Sequence, residues 1–269
     1  GKDVFSADAD LGDLIPMSVK RIAAAIEVLH KASLVHDDIE DGDRFRYGRE
    51  TIHRTHGTGP AINVGDFLVG LGYRLISKQA ETLGADCVAD ILAQLSAAHL
   101  DLCRGQGAEL VWRNNGSALK PVDALSAYAL KTAPAFEAAL YAGLRAADAD
   151  VDKGVIKKFS VYLGEAYQVL NDLQDWREHK GNKVVSGRDV AVEHPTLLRA
   201  FALEAGAKRR LTGADGDADK IRSIYEELGV FEKAEALAEK LRSRAIALAE
   251  SLGDPALKDL LLFIVRTVV

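Results

Sequence analysis

Apolar residues recur at helical spacing along nearly the whole chain, and this pattern limits the possible folds more than any other feature. Ala and Leu dominate the apolar residues, which form 48% of the 269 positions, and both favour helices over strands. No strand-like alternation competes with the pattern, only six prolines are present, and no Pro/Gly/Ser-rich linker divides the chain. We therefore expect one all-α domain over residues 1–269, built as a bundle of about eight or more helices.

The periodic segments set approximate helix boundaries. The first begins near Pro16 and keeps its spacing to Asp37, and a polar, Gly-containing loop follows it through Gly48. Further helices are expected at about residues 61–83, 86–105, 122–144, 152–176, 196–205, 218–251 and 255–268. A Gly/Lys/Ser-rich loop is expected at residues 180–187.

Charge and cysteine content exclude several classes of protein. The net charge of −6 and the lack of a basic stripe argue against a nucleic-acid binder. No apolar run approaches the roughly 20 residues that span a bilayer. Cys87 and Cys103 have no metal-ligand spacing, so we expect two free, buried thiols in a reducing cytoplasm. Because the chain begins at Gly1 and its only methionine is Met17, we expect its N-terminus to be incomplete.

An acidic cluster follows the first apolar stretch, in the sequence His36-Asp37-Asp38-Ile39-Glu40-Asp41. On a helix Asp37 and Asp41 share a face one turn apart, with Asp38 beside them. Carboxylates this close repel one another unless a cation neutralises them, and hard oxygen ligands suit Mg²⁺ bound together with substrate phosphates. The alternative interpretation is a solvated acidic helix end, which the apolar residues before the cluster disfavour.

A second polar cluster lies about 130 residues later. Asn171, Asp172 and Asp175 fall at i, i+1 and i+4 of a predicted helix, and Gln168 lies one turn earlier on the same side. Helix bundles build metal sites from side chains on facing helices. We therefore expect the two clusters to face each other and to hold Mg²⁺ ions that stabilise a departing diphosphate.

At these residues the chain resembles the trans-isoprenyl (polyprenyl) diphosphate synthase family, whose hallmark is a pair of DDxxD motifs. Residues 37–41 match the first motif fully, in the family's typical context at residues 29–36. The resemblance covers about residues 20–200 in the family's order, and it continues at Arg46, Gly48, Thr51, His53, Gly105-Gln106, Lys131-Thr132, Tyr167-Gln168, Gly187-Arg188-Asp189 and Pro195-Thr196-Leu197. It implies an isoprenoid synthase helical bundle with a central apolar cavity.

The resemblance also implies a role for each matching residue. It implies Mg²⁺, in three ions, as cofactor, with the ligands Asp37, Asp38, Asp41, Asn171, Asp172 and Asp175. The catalytic residues that it implies are Asp37, Asp38, Asp41, Lys131, Thr132 and Gln168. Those for substrate binding are His30, toward isopentenyl diphosphate, and Arg46, Lys131, Gln168 and Lys183, toward the allylic diphosphate and the reaction centre.

Several positions depart from the family pattern. Asn171 stands where the second motif usually begins with Asp, so this ligand carries no charge. Tyr47 stands where a second arginine usually grips isopentenyl diphosphate, and His194-Pro195 replace a usual lysine. The family's N-terminal Gly-Lys-Arg element is not seen. The allylic, metal-binding half is therefore better retained than the isopentenyl half.

Three functions follow from this asymmetry. The first is a trans-prenyltransferase that condenses an allylic diphosphate with isopentenyl diphosphate. The second is a non-condensing enzyme on the same fold, such as a terpene cyclase, although Asp175 and His179 do not complete the cyclase pattern. The third is a weakly active subunit that regulates a synthase, which the retained acidic motifs argue against. We expect the first function, in a cytoplasmic homodimer, with the dimer implied by the family alone.

Product length in the family depends on residues just before the first motif, which here are Leu29, Ala32 and Ser33. Small residues at this point leave room for a hydrocarbon chain, so we expect products of about C15–C20, with C20 favoured. Replacing Ala32 by Phe is expected to shorten the product, as measured by mass spectrometry. An unchanged product would rule out these residues as the wall of the tunnel.

Overall fold

Helices make up almost all the secondary structure of the protein, whose computed structural model describes residues 15–115, 120–149, 152–176 and 196–269. The helices are α1 Met17–Asp41, α2 Ile52–His56, α3 Thr58–Ser77, α4 Ala80–Leu83, α5 Ala85–Asn115, α6 Pro121–Ala146, α7 Lys153–Trp176, α8 Leu197–Glu204, α9 Lys208–Gly213, α10 Ala218–Glu227, α11 Val230–Glu250 and α12 Pro255–Val268. The predicted all-α class is confirmed. In the described part of the chain no helix is long and apolar enough to cross a membrane.

Some predicted boundaries were wrong. The segment 218–251 was expected to be one helix, but it divides into α10 and α11 where Gly229 takes the left-handed conformation, with φ 63°. The short helix α9 was not predicted, and α5 continues well past its predicted end at residue 105 to Asn115. Of the two thiols, Cys87 is buried as expected, whereas Cys103 is exposed on α5.

A short antiparallel hairpin occupies the predicted loop after α1. Its strands are β1 Phe45–Arg46 and β2 Arg49–Glu50, and they are joined by a tight turn at Tyr47 and Gly48. Both turn residues have positive φ, 52° and 75°, as the hairpin turn that suits strand twist requires. Glycine adopts this conformation freely, whereas a tyrosine in it costs about 1 kcal/mol or more. Two-residue strands are too short to show alternation in the sequence.

The chain divides into two compact units. The first contains the described residues up to Ser96 and residues 139–149, and the second contains the remainder. In the first unit α1 packs against α3 through glycines. A Cβ at Gly65 would lie 2.2 Å from Nε2 of His36, and one at Gly72 would lie 2.5 Å from Cγ of Leu29. These two contacts fix α1 against α3, and the one between Gly65 and His36 lies directly beside the acidic cluster. The single-domain prediction stays a prediction.

The second unit is organised around α7, which packs against α11 and runs antiparallel to α6. Three levels of contact define the α6–α7 register: Tyr128 with Asp172, Thr132 with Gln168, and Ala133 with Gly164. A buried cluster supports the end of α7. In it Trp176 packs against Tyr225 at 5.1 Å between ring centroids, and against Phe231 at 6.0 Å. The polar residues of α6 and α7 are therefore held in fixed positions.

The contact of α5 with α6 depends on Gly105, which leads to a testable prediction. A Cβ at Gly105 would lie 2.6 Å from the backbone nitrogen of Lys131, and backbone cannot move aside as a side chain can. The Gly105→Ala variant is therefore expected to lose about 1–3 kcal/mol of unfolding free energy, measured by chemical denaturation. Gly107→Ala is the matched control, because its Cβ would meet nothing within 4 Å, and alanine should stabilise the helix by up to about 1 kcal/mol. Equal stability of the two variants would contradict the expected close contact.

Candidate active site

The first acidic cluster forms the last turn of α1, in the first unit. The helix ends at Asp41, where Gly42 takes the left-handed conformation with φ 68°, and the last turn contains no basic residue. Carboxylates at the C-terminus of a helix add to the partial negative charge of its carbonyl groups. Asp37, Asp38 and Asp41 therefore need positive charge from outside their own helix.

Arg46 of the hairpin supplies part of that charge. Its Nε donates to Oδ1 of Asp38 at 2.8 Å, and its terminal nitrogen donates to Oδ2 of Asp37 at 3.3 Å and lies 3.6 Å from Asp43. Burial opposes the charge on Arg46, but the hydrogen bond and charge of Asp38 outweigh it and raise the pKa of Arg46. Asp38 and Asp43 are both buried, so one guanidinium holds a buried acidic pair. From the sequence, Arg46 was predicted to bind the substrate diphosphate, and its contact with the buried acidic pair was missed.

The donor set of α1 fits Mg²⁺ that is bound jointly with a substrate. Asp37 and Asp41 lie one helical turn apart and present hard carboxylate oxygens. Mg²⁺ commonly uses one or two carboxylates together with waters and phosphate oxygens, and needs no complete protein cage. Among the residues with described positions, no three His, Cys, Asp or Glu side chains come together as a ready-made cage. The last turn of α1 is thus suited to an ion that arrives with a diphosphate.

The residues expected near isopentenyl diphosphate lie on the exposed side of α1 and the hairpin. His30 is exposed, and Tyr47 is 55% exposed at the tip of the hairpin. The ammonium of Lys31 lies 5.4 Å from the centroid of the Tyr47 ring. Sequence reasoning missed Lys31, although it directly follows His30. A lysine therefore brings positive charge beside the position where the family pattern has an arginine.

The three candidate chain-length residues lie in two different environments. Leu29 packs against Gly72 of α3, and Ala32, fully buried, lies on the same side of α1. Ser33 is exposed, and its hydroxyl donates to the carbonyl of His30 at 2.8 Å. A Phe at position 32 must therefore fit into a packed interior, which can lower the stability of the protein. The thermal unfolding of the Ala32→Phe variant should therefore be measured together with its products.

In the second unit, Lys131 and Thr132 of α6 bond to polar groups of α5 and α7 respectively. The Lys131 ammonium donates to Oε2 of Glu109 at 2.9 Å, and Arg113 lies 3.4 Å from the other Glu109 oxygen. At the next residue of α6, Nε2 of Gln168 donates to the Thr132 hydroxyl at 2.6 Å. The structure thus pairs the predicted residues Thr132 and Gln168, whereas Lys131, next to Thr132 on α6, bonds to Glu109. Glu109 was missed, although it lies one turn after the quoted Gly105-Gln106 pair.

The second acidic cluster occupies the last turns of α7. Oδ2 of Asp172 accepts hydrogen bonds from the Tyr128 hydroxyl at 2.5 Å and from the Leu197 amide at 3.1 Å. Burial raises the pKa of Asp172 to about 7, against the opposite effect of the Tyr128 hydrogen bond. Asp175 is exposed and Asn171 is partly buried, one turn apart on the same helix. Asp172 is therefore held by neighbouring helices, whereas Asp175 reaches the surface of α7.

Two parts of the predicted site are not tested. The acidic clusters belong to different units, so their facing each other stays a prediction. Lys183 and the expected loop 180–187 lie outside the described residues, as does His194-Pro195. The metal, substrate and chain-length roles of the predicted residues stay predictions as well.

Known proteins resemble the chain over most of its length. Residues 10–228 match the polyprenyl synthetase family. A geranylgeranyl diphosphate synthase of Cereibacter sphaeroides is 31% identical over 252 residues, which cover 91% of this chain and 83% of that relative. A short chain isoprenyl diphosphate synthase of Methanocaldococcus jannaschii is 27% identical, over 82% of this chain and 62% of its own.

Solved structures show the same fold. The crystal structure of a geranylgeranyl pyrophosphate synthetase from Pyrococcus horikoshii Ot3 superposes with a TM-score of 0.84 at 24% identity, over 95% of this chain and 80% of that one. A polyprenyl synthetase from Streptomyces coelicolor A3(2) gives a TM-score of 0.81 at 25% identity, over 93% and 78%.

Glu165, one turn before Gln168 on α7, leads to a prediction about pH. Burial raises the pKa of its carboxyl group from 4.5 to about 7, and the charge of Arg244 on α11 only partly opposes this. The folded protein therefore binds more protons than the unfolded chain between about pH 4.5 and 7, so stability from this group is complete below pH 4.5 and falls as the pH rises through 7.

The Glu165→Gln variant is expected to lose this part of the pH dependence. At pH 8 it should be more stable than the wild type by about 1–2 kcal/mol, allowing for screening by water. Urea unfolding at pH 5 and pH 8 measures the effect. The control is Glu226→Gln, at an exposed position of α10. A Glu165→Gln variant whose unfolding free energy depends on pH as in the wild type would contradict the prediction.

Proposed function

The chain belongs to the polyprenyl synthetase family, and on this basis we propose that it is a trans-prenyltransferase that condenses an allylic diphosphate with isopentenyl diphosphate. The observation that supports this most directly is the complete Asp37-Asp38-x-x-Asp41 motif on a helix end that lacks basic residues. Such a helix end favours a cation, and a cation there favours a diphosphate. The matched relatives named above are likewise prenyl diphosphate synthases.

In this proposal each group of the first unit has a distinct task. Asp37 and Asp41 hold Mg²⁺, which when bound neutralises the negative charge of the diphosphate as it leaves. Arg46 keeps Asp38 in place and limits the repulsion among the carboxylates, since its guanidinium is bound to both Asp37 and Asp38. Binding of three Mg²⁺ ions and assembly into a homodimer are also part of the proposal.

In the second unit, Lys131 and the Thr132–Gln168 pair are the groups that act on the substrate. Lys131 shares the Glu109 carboxylate with Arg113, so its ammonium is held in a defined position from which it can contact an anionic diphosphate. The hydrogen bond from Gln168 leaves the Thr132 hydroxyl proton free to donate elsewhere, and both side chains are held in place by the α6–α7 contact. They can therefore steady charge without moving.

A condensing enzyme is favoured over a non-condensing one. Asn171 and Tyr47 depart from the family pattern, but Asn171 still offers an amide oxygen, and Lys31 places a cation beside Tyr47. The likeness to a geranylgeranyl diphosphate synthase over most of both chains supports a product of about C20.

Product analysis tests the proposal. Purified protein with Mg²⁺ is incubated with C5, C10 or C15 allylic diphosphates, each with and without isopentenyl diphosphate, and products are identified by mass spectrometry. Longer diphosphates are expected only when isopentenyl diphosphate is present. Hydrocarbons or alcohols formed without isopentenyl diphosphate would show non-condensing chemistry instead. The absence of any product in both cases would contradict the proposal that this protein is active without a partner subunit.

The Tyr47→Arg variant extends the test to the second substrate. An arginine at this position adds a charge-assisted contact of about 1.5–3 kcal/mol, so KM for isopentenyl diphosphate is expected to fall about tenfold while KM for the allylic diphosphate is unchanged. Tyr47→Gly is the matched control, since it removes the ring and suits the positive φ of 52° without adding charge. An equal change of both KM values would place position 47 away from the isopentenyl diphosphate.

A further inference from the structure

Tyr128 lies where α6, α7 and α8 meet, and the family resemblance assigns it no role. Its ring is 6% exposed and belongs to the buried cluster that supports the end of α7. Its hydroxyl lies 2.5 Å from Oδ2 of Asp172 and 2.9 Å from the backbone nitrogen of Leu197. The same Leu197 amide also reaches Oδ2 of Asp172, at 3.1 Å. Three helices are therefore joined at a single carboxylate oxygen.

This arrangement gives Asp172 a defined orientation. A carboxylate has two oxygens, and two donors that converge on one of them fix both the position and the rotation of the group. Within the described part of the chain, the hydrogen bonds found for this carboxylate all end on Oδ2. The oxygen that remains for a cation is Oδ1.

The orientation of Asp172 matters more in this chain than in one with the full motif. Asn171 carries no charge, so only Asp172 and Asp175 bring negative charge to the second cluster. Asp175 is exposed at the surface of α7. Asp172 is held by two neighbouring helices, through the Tyr128 hydroxyl of α6 and the Leu197 amide of α8.

We propose that Tyr128 is a positioning residue for the second acidic cluster: its hydroxyl fixes Oδ2 of Asp172 and so leaves Oδ1 to bind Mg²⁺. The inference rests on the proposed function, because it takes the second cluster as part of a magnesium diphosphate site. Substitution of a group that orients a metal ligand commonly lowers metal affinity by about 10–100-fold. A structural role alone would change folding stability without a specific effect on Mg²⁺.

The test compares Tyr128→Phe with the wild type. The phenyl ring keeps the buried packing and removes only the hydroxyl. Mg²⁺ binding is measured by calorimetry in the presence of inorganic pyrophosphate, and is expected to weaken about tenfold. In the prenyl transfer assay, the Mg²⁺ concentration for half-maximal rate should rise by the same factor, and saturating Mg²⁺ should restore kcat.

Tyr225→Phe is the matched control. Tyr225 is a second buried tyrosine of the same cluster, packed against Trp176, and within the described residues no hydrogen bond joins it to Asp172. Its loss of a hydroxyl should change Mg²⁺ affinity less than twofold. An effect as large as that of Tyr128→Phe would show a general response of the cluster and overturn the proposal.

A double-mutant cycle tests whether Tyr128 acts through Asp172. In an Asp172→Asn background, Tyr128→Phe should change Mg²⁺ affinity less than twofold, whereas additive losses would overturn the proposal. If Tyr128→Phe does not fold, Asp172→Asn alone decides, because wild-type Mg²⁺ affinity in that variant would remove Asp172 from the site.

The outcomes separate this inference from the proposed function. Wild-type protein that binds Mg²⁺ with pyrophosphate, together with a Tyr128→Phe variant of equal affinity, would overturn the positioning role and leave the function standing. Wild-type protein that binds no Mg²⁺ in the presence of pyrophosphate would overturn both.

Discussion

The concentration of negative charge at the C-terminal end of α1 is the constraint on which the first unit depends. Three carboxylates lie within two turns of a helix end that is itself partly negative, and no basic residue of that turn offsets them. The hairpin after α1 supplies part of the missing positive charge, because it places Arg46 within hydrogen-bond distance of Asp37 and Asp38. Its tight turn needs two positive φ values, which Tyr47 and Gly48 provide. The strained backbone at Tyr47 is thus part of the device that neutralises the motif.

Close helix contacts set the register within each unit. Gly65 and Gly72 let α3 approach α1, and Gly105 and Gly164 let α5 and α7 approach α6. At each contact a Cβ would collide with a neighbouring atom, so the approach sets the register of the helices with little freedom. Polar groups on these helices are then placed by packing. This is how Thr132 meets Gln168, which lies 36 positions away in sequence, at 2.6 Å.

Helical content and the acidic motifs could be predicted from the sequence because both are local patterns. Apolar spacing identified the long helices, and residues four apart on one helix share a face in any helical fold. The partners of those residues could not be predicted. Glu109 beside Lys131, Arg46 on Asp38, and Tyr128 on Asp172 each depend on which helices lie next to one another. The hairpin was missed for a different reason, since its strands of two residues carry no period.

The two acidic clusters are stabilised in physically different ways, and this difference bears on how each can hold a cation. Asp38 is held by the positive charge of Arg46, whose Nε donates to Oδ1 of Asp38. Asp172 is held by neutral donors, the Tyr128 hydroxyl and the Leu197 amide, which orient the group without supplying charge. The neutral donors orient Asp172 without an opposite charge beside it, whereas Arg46 already offsets part of the charge at the first cluster. The loss of one charge at Asn171 is therefore compatible with cation binding at the second cluster, since no protein cation among its described neighbours competes for the Asp172 carboxylate.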